Sequence, residues 1–302
     1  MMFLVEQDHH YVPQVYLRQW CVRGRLLRYR RVGPTSKLVV DQKSPKRIAF
    51  QTDLYTLPAG GVANGLSGRQ IESTLASTVD QRLKDIVERA SSSCGRVSDK
   101  TLEKELSWLM QTFSARSPTS IERVEAGVAQ FIDGQRATIE TLVARANLQS
   151  TRDQLRGFQD PRRPKVAALA GIAAVALGDV PSRLDWLDGD VHVLRAVEVQ
   201  ELLRGIGAGE FVTFEDPVVE WESSPGGPVA SFALSPAALL VLLPRGRQPT
   251  LTDYCEIALR HSLVPLTYRE NLICRTKASG SLLMAAAGLQ PTPSSSRITT
   301  AT

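Results

Sequence analysis

The chain has 302 residues, of which 43% are hydrophobic and 22% charged, and its formal net charge is +5. These values are typical of a globular protein with a sizeable buried core. The four cysteines lack C-x-x-C spacing, which argues against a zinc ribbon or a dithiol redox motif. The longest nearly apolar run, residues 166–177, is too short to cross a bilayer, and no signal-peptide pattern is present. We therefore expect a cytoplasmic protein with no membrane contact.

Residues 9–20 contain the highest density of side chains that can take part in catalysis or binding, and they form the first predicted element. Pro13 follows Val12, and this favours an extended backbone through Val12. Proline also suits the first turn of a helix, so a short helix is predicted from Pro13 to about Trp20. Tyr16, Leu17 and Trp20 share one face of this helix, because neighbours three and four apart lie together. We expect these three side chains to be part of the core.

The two histidines before this helix should not both enter one pocket, because adjacent side chains of an extended segment face opposite ways. We take His10 as the candidate for a polar site, together with Gln14. The alternative is that the inward histidine only caps a helix end, since a lone histidine has several structural roles.

A basic β-hairpin is the next predicted element. Residues 25–41 alternate in character and enclose a Gly-Pro-Thr-Ser turn. Residues 1–50 contain ten lysines and arginines against three acids, so this segment could attract nucleic acid or another polyanion. The alternative, a solvated strand face, needs no ligand.

Helices are predicted from residue 68 to residue 178, where apolar residues recur at helical spacing. The predicted order is a helix over 68–90, a helix from 98 or 99 to Pro118, a helix capped by Ser117 that runs to about Asn147, a charged connector over 152–165, and a buried helix over 167–177 capped by Gly178. The third helix is predicted to bury Ile121, Val124, Val128, Phe131, Ile132, Ile139, Leu142 and Val143.

Short strands and turns predominate after residue 181. The predicted elements are strands over 210–214, 218–221 and 229–234, a strand or short helix over 238–243, a helix over 252–262 and a strand over 272–275. Residues 288–302 lack an apolar period and are predicted to be a disordered tail. We therefore predict one α+β domain over residues 1–287. It comprises a basic β-rich part (1–67) with an N-terminal β-hairpin region, a central helical bundle (68–178) and a C-terminal mixed part with short antiparallel strands (179–287).

Residues 10–20, His-Tyr-Val-Pro-Gln-x-Tyr-Leu-x-x-Trp, resemble the N-terminal signature H-Y-V-P-x-x-Y-L-x-x-F of a bacterial family known as domain of unknown function 4238. Shorter matches extend the resemblance over about residues 7–276. They are Asp53-Leu54-Tyr55, Glu72, Arg116-Ser117-Pro118, residues 211–218 and Leu234-Ser235-Pro236. Residues 214–217, Phe-Glu-Asp-Pro, depart from the family's Ser-Asp-Asn-Pro, so the family's serine is absent and its aspartate is Glu215 here.

Three polar residues at the ends of predicted elements are the candidates for catalysis: His10, Arg116 and Glu215. Element ends are where a rigid scaffold presents functional groups, and we expect the three to converge on one cleft. Arg116 could clamp a phosphate or carboxylate, or it could form a structural ion pair with Glu72. Glu215 could act with Asp216, or the two could form an Asx-type turn.

Two functions from different classes are consistent with these residues. The first is a metal-dependent hydrolase of a phosphodiester or nucleic acid, in which His10, Arg116 and Glu215 act in catalysis. Gln14, Glu72 and Asp216 would then bind the ligand. A divalent metal is the candidate cofactor, with His10 and Glu215 as candidate ligands. The second is a non-catalytic module that binds a ligand or a partner through the same residues. The sequence carries no signal for an oligomeric state.

Overall fold

The computed structural model of the protein describes residues 8–32, 37–57, 68–157, 159–178, 189–205, 209–223, 227–263 and 271–275. Helices and antiparallel sheets both occur within these residues, which confirms the predicted α+β class. The predicted tail, residues 288–302, lies outside the described residues. Within them, no helix combines the length and the apolar character that a membrane-spanning segment needs.

The strands are β1 (Asp8–His10), β2 (Leu26–Val32), β3 (Lys37–Lys43), β4 (Phe50–Thr52), β5 (Gly95–Arg96), β6 (Gly189–Arg195), β7 (Thr213–Phe214), β8 (Val218–Ser223), β9 (Gly227–Ser235), β10 (Ala238–Pro244) and β11 (Asn271–Cys274). The helices are α1 (Gln14–Leu17), α2 (Gly68–Leu75), α3 (Gln81–Ser91), α4 (Lys100–Ala115), α5 (Pro118–Arg145), α6 (Gln149–Gly157), α7 (Arg163–Leu177), α8 (Gln200–Gly205) and α9 (Leu251–Leu263). A π-helical segment, Ala76–Asp80, joins α2 to α3.

The described residues divide into two compact units. The first unit holds residues 8–11, 50–57, 68–82, 108–157 and 159–178. The second unit holds residues 12–32, 37–49, 83–107, 189–205, 209–223, 227–263 and 271–275. The extent of the predicted domain, residues 1–287, stays a prediction.

The first unit is mainly helical and contains one small sheet. Strands β1 and β4 pair antiparallel, with His9 opposite Gln51. Helix α5 packs on α6 and α7, and α2 also packs on α7. Ser117 caps α5 as predicted, because its side chain accepts the N–H of Ser120 at 3.2 Å. Gly178 ends α7 with φ 76°, a left-handed conformation that glycine adopts without strain.

The π-helical segment explains the apolar spacing of the helix predicted over residues 68–90. Ile71, Leu75, Val79 and Leu83 follow one another at intervals of four, and all are buried. In a regular α-helix, which turns about 100° per residue, Leu83 would lie about 120° around the axis from Ile71. A π-bulge accommodates one extra residue, which removes most of that drift. The apolar positions therefore stay on one face.

Two predictions for the helical region are wrong. The predicted connector over 152–165 contains the end of α6 and the start of α7. Helix α6 has no buried residue, so its sequence carries no apolar period. The predicted burial of α5 holds for Ile121, whereas Val124, Phe131 and Leu142 are exposed and the other four predicted positions are half-buried. Helix α5 spans 28 residues but packs on α7, which spans 15, so its apolar face is only partly covered.

The second unit contains two antiparallel sheets. One has the strand order β5-β6-β10-β9-β8, and the other has the order β3-β2-β11-β7. The pairing of β2 with β3 confirms the predicted hairpin, although its turn, residues 33–36, lies outside the described residues. Strand β6 was not predicted. All five residues between its first and last are buried, so it lacks the alternation of a strand with one solvated face.

Side chains of the N-terminal signature form part of the core of the second unit, as predicted. Tyr16, Leu17 and Trp20 are fully buried. The Tyr16 hydroxyl donates to the carbonyl oxygen of Ala233 at 2.6 Å, and Trp20 Nε1 donates to that of Phe211 at 3.1 Å. These bonds satisfy the polar atoms that the two large aromatic residues carry into the core.

Candidate functional site

His9 is the deeply buried histidine of β1, with 2% of its surface exposed, whereas His10 is half-buried. The side chains alternate along the strand, as the sequence predicted for this pair. Nδ1 of His9 accepts the N–H of Tyr55 at 3.0 Å, and the two rings stack with centroids 5.4 Å apart. Nε2 of His9 lies 3.5 Å from Oε2 of Glu72. Since Nδ1 is an acceptor, a neutral His9 carries its proton on Nε2, facing Glu72.

Glu72 and Asp80 lie eight residues apart on the helix that contains the π-helical segment. Without that segment the two side chains would diverge by about 80° around the axis. The extra residue of a π-bulge leaves them on nearly the same face. Both carboxylates remain partly open to solvent, with side-chain exposures of 31% for Glu72 and 28% for Asp80.

Arg116 lies behind Asp80 and is buried. Its Nη1 lies 3.2 Å from Oδ1 of Asp80, and its Nη2 donates to the carbonyl oxygen of His10 at 2.8 Å. The loop after α4 thus fixes the guanidinium between a carboxylate and a strand backbone. The sequence analysis considered an ion pair between Arg116 and Glu72, whereas the ion pair that the structure gives Arg116 is with Asp80.

The turn that follows β4 delivers Tyr55 to this group. Asp53 has φ 56°, a left-handed conformation that aspartate tolerates better than most residues, and its carbonyl accepts the N–H of Thr56 at 3.1 Å. The Tyr55 hydroxyl donates to the carbonyl oxygen of Arg116 at 3.2 Å. One tyrosine therefore bonds to His9 through its backbone and to Arg116 through its side chain.

The carboxyl of Asp80 has a raised pKa. Burial is the main cause, because it disfavours the charged form, and the positive charge of Arg116 and the proximity of His10 only partly offset it. Burial also raises the pKa of Tyr55, and both Glu72 and Asp80 add to that rise. We call the set His9, His10, Tyr55, Glu72, Asp80 and Arg116 the polar cluster. Glu72 and Asp80 lie about two helical turns apart along one face, and two carboxyls in unequal surroundings are a common arrangement for acid–base chemistry.

The structure places three of the six predicted site residues in the polar cluster: His10, Glu72 and Arg116. His10 takes part through its backbone carbonyl, and its ring meets Phe50 edge-on at 5.8 Å. The other three predicted residues belong to the second unit. Gln14 begins α1 and is half-buried, and Glu215 and Asp216 form the half-buried bend between β7 and β8. The convergence of His10, Arg116 and Glu215 stays a prediction.

A divalent metal fits these residues poorly. Among the described residues, no three side chains of histidine, cysteine, aspartate or glutamate are grouped as a metal site requires. Of the two partly exposed carboxylates in the polar cluster, that of Asp80 is already paired with a guanidinium.

The polar cluster lies within the part of the chain that a known family covers. Residues 8–189 match the model of the family described as Protein of unknown function (DUF4238). The chain belongs to this family. The DUF4238 match includes every residue of the polar cluster and ends before Glu215 and Asp216. No curated protein and no solved structure matches the chain.

Three members of the polar cluster escaped the sequence analysis: His9, Tyr55 and Asp80. The alternation rule left the choice between His9 and His10 open, and Tyr55 was noted only as part of a motif. Asp80 had one usable signal. Apolar residues at three successive intervals of four are a helical pattern that a π-bulge explains, and such bulges are frequent at functional sites.

Proposed function

We propose that this DUF4238 protein is a hydrolase of phosphodiesters in which Glu72 and Asp80 form the acid–base pair. The observation that carries the proposal is their placement on one helix face, each partly open to solvent and each backed by a buried partner, His9 or Arg116. Groups that are accessible yet held in place by buried partners are suited to catalysis.

The two carboxyls differ in a way that supports separate roles. Asp80, whose pKa burial raises, would donate a proton to the leaving alkoxide. Glu72, oriented by His9, would accept the proton of a water molecule as its oxygen attacks phosphorus. The bond from the water oxygen to phosphorus forms as the bond from phosphorus to the leaving group breaks. Glu72 gains one proton and Asp80 loses one, so exchange of one proton with solvent at each carboxyl restores the starting state.

A phosphodiester is the proposed substrate class because of the charge of the N-terminal segment. The excess of lysine and arginine over residues 1–50 would attract a polyanion such as nucleic acid. The acid–base mechanism involves no metal, so hydrolysis should persist in EDTA, whereas the metal dependence predicted from the sequence would require Mg²⁺ or Mn²⁺. The two are distinguished by comparing activity in EDTA with activity after addition of Mg²⁺ or Mn²⁺.

The test measures hydrolysis of bis(4-nitrophenyl) phosphate by the full chain and by Glu72→Gln and Asp80→Asn. Each substitution should lower kcat/KM by about 10²–10⁴-fold, the usual contribution of a general acid or base. Asp133→Asn and Glu140→Gln are matched controls, because both residues are exposed on α5 of the same unit. Absence of hydrolysis by the folded wild type with and without metal, or full activity in both test variants, would refute the proposal.

A non-catalytic binding module is the second candidate, and one observation favours a non-catalytic role for the polar cluster. His9 and Arg116 both bond to backbone groups, those of Tyr55 and His10, so the polar cluster also ties a strand, a turn and a helix end together. In that case Glu72→Gln and Asp80→Asn would lower the free energy of unfolding, and no phosphodiester would be turned over.

A further inference from the structure

An open cavity of about 550 Å³ in the second unit is lined by three arginines. They are Arg23, Arg25 and Arg275, and all three side chains are exposed. Val22, Leu26, Leu27 and Gln42 complete the lining. The volume lies within the usual range for small-molecule sites. The combination of apolar side chains with a few convergent charged groups is also typical of such sites.

Strand register explains why these residues meet. Leu27 in β2 is opposite Gln42 in β3 on one side and opposite Cys274 in β11 on the other. Arg275 follows directly after Cys274, and the turn with Arg23 and Arg25 precedes β2. The cavity therefore lies across one end of the four-stranded sheet, where the side chains are fixed by three neighbouring strands.

The extent to which carboxylates of the described residues compensate the positive charge in the cavity decides which ligand charge fits it. Among the residues that the structure describes, neither Arg23 nor Arg25 has a carboxylate partner. Arg275 has a distant one, because its Nη1 lies 3.8 Å from Oε2 of Glu210. Three guanidiniums with one carboxylate leave a net charge near that of two cations, which matches a phosphate dianion. Guanidiniums bind phosphate oxygens with short, charge-assisted hydrogen bonds.

Arg23 lies in a turn whose backbone conformation is unfavourable for arginine. Val22 and Arg25 exchange backbone hydrogen bonds of 2.7 and 3.1 Å, which closes a two-residue turn. Arg23 has φ 53° and Gly24 has φ 76°, the signs of a type I′ turn. The first central position of that turn favours asparagine, aspartate or glycine. Strained residues are frequent at functional sites, so an arginine at this position that also lines the cavity supports a ligand-binding role.

We infer that this cavity binds a phosphorylated small molecule with an apolar or planar body, of the nucleotide class. The arginines would hold the phosphate, Gln42 would offer amide hydrogen bonds, and Val22 and Leu27 would contact the body of the ligand. The inference rests on residues of the second unit alone and is independent of the acid–base pair.

Calorimetric titration of the full chain with adenosine 5′-monophosphate tests the inference, beside adenosine and inorganic phosphate. The monophosphate should bind at least tenfold more tightly than either fragment, and rising salt should weaken its binding. Arg23→Ala, Arg25→Ala and Arg275→Ala should each weaken it by about tenfold or more, the scale of one charge-assisted bond. Arg47→Ala is the matched control, because Arg47 is exposed in the same basic segment but does not line the cavity.

Arg23→Asn separates binding from folding. Asparagine suits the left-handed position, so this variant should melt at a temperature equal to or above that of the wild type while it binds the monophosphate at least tenfold more weakly. Three results would overturn the inference: no binding by the wild type, equal affinity for inorganic phosphate and the monophosphate, or an equal loss in Arg47→Ala, which would indicate diffuse attraction.

Discussion

His9 in the first unit and His261 in the second are buried histidines with both ring nitrogens engaged, yet their surroundings differ. Nδ1 of His261 bonds to the Ser231 hydroxyl at 2.8 Å, and Nε2 bonds to the carbonyl of Val212 at 3.1 Å. A serine beside a histidine is the arrangement of a nucleophile and its base. Here, however, Ser231 and His261 are both fully buried. His9 instead contacts Glu72, which is open to solvent on one side.

The comparison teaches that hydrogen-bond geometry does not identify a functional site by itself. A substrate has to reach the reacting atoms. Of the two histidines, only His9 has a partner, Glu72, that is open to a substrate from solvent. The Ser231–His261 pair satisfies polar groups inside a core. In the polar cluster of the first unit, Glu72 and Asp80 are partly exposed and contact the buried side chains of His9 and Arg116.

The largest expected effect comes from removing the buried partner of Asp80. Arg116→Met would remove the buried guanidinium that bonds to Asp80 and to the carbonyl of His10, so it should cost roughly 3–5 kcal/mol of unfolding free energy, measured by urea denaturation. Arg260→Met is the control, because Arg260 forms an exposed pair with Glu256 on α9 and should cost under about 1 kcal/mol. Equal costs would mean that Arg116 is not needed to hold the cluster.

A pH titration of stability should reveal His261. Burial lowers the pKa of His261 to about 4, whereas an unfolded histidine titrates near 6.5. Its contribution is therefore fully present above pH ~6.5 and is lost as the pH falls towards 4, by roughly 3 kcal/mol in total. Urea midpoints of the wild type and of His261→Gln, taken from pH 7 to pH 4, should diverge in slope. Parallel curves would show that His261 is solvated or protonated in the folded protein.

A smaller effect of opposite sign is expected from Asp80. Its pKa is raised on folding by burial, so its contribution to stability is present at low pH and is lost as the pH rises through the folded-state value. The effect should be the smaller one, since the side chain is 28% exposed. Asp80→Asn should remove this component from the pH dependence, whereas Asp133→Asn should not. A slope that Asp80→Asn leaves unchanged would place Asp80 in ordinary solvent.

The sequence predicted the elements whose apolar residues have a clear period. The helix over 68–90, the Ser117 cap and the hairpin of β2 and β3 were all found this way, and the family was identified from residues 10–20. Elements without a period were missed, among them α6, which has no buried residue, and β6, which is buried on both faces. Periodicity shows which side of an element is apolar, but it does not show how much of that side is covered. The burial of α5 depends on the length of α7, which is the shorter helix.

The candidate site was only half predictable for a related reason. Arg116 was chosen as a polar residue at an element end, and Glu72 was chosen from the family resemblance. The role of His10 as an acceptor is a backbone property that side-chain chemistry does not reveal. Asp80 depends on a change of helix type five residues long. The pairing of carboxylates with His9 and Arg116 is set by tertiary packing over separations of 63 and 36 residues.

The most direct test of the account is the pH dependence of kcat/KM for phosphodiester hydrolysis by the wild type, Glu72→Gln and Asp80→Asn. A bell-shaped profile is expected for the wild type, because one carboxyl must be ionised and the other protonated. The residual activity of Glu72→Gln should lack the rising limb, and that of Asp80→Asn should lack the falling limb. A wild-type profile retained in both variants would contradict the claim that these two carboxyls form the acid–base pair.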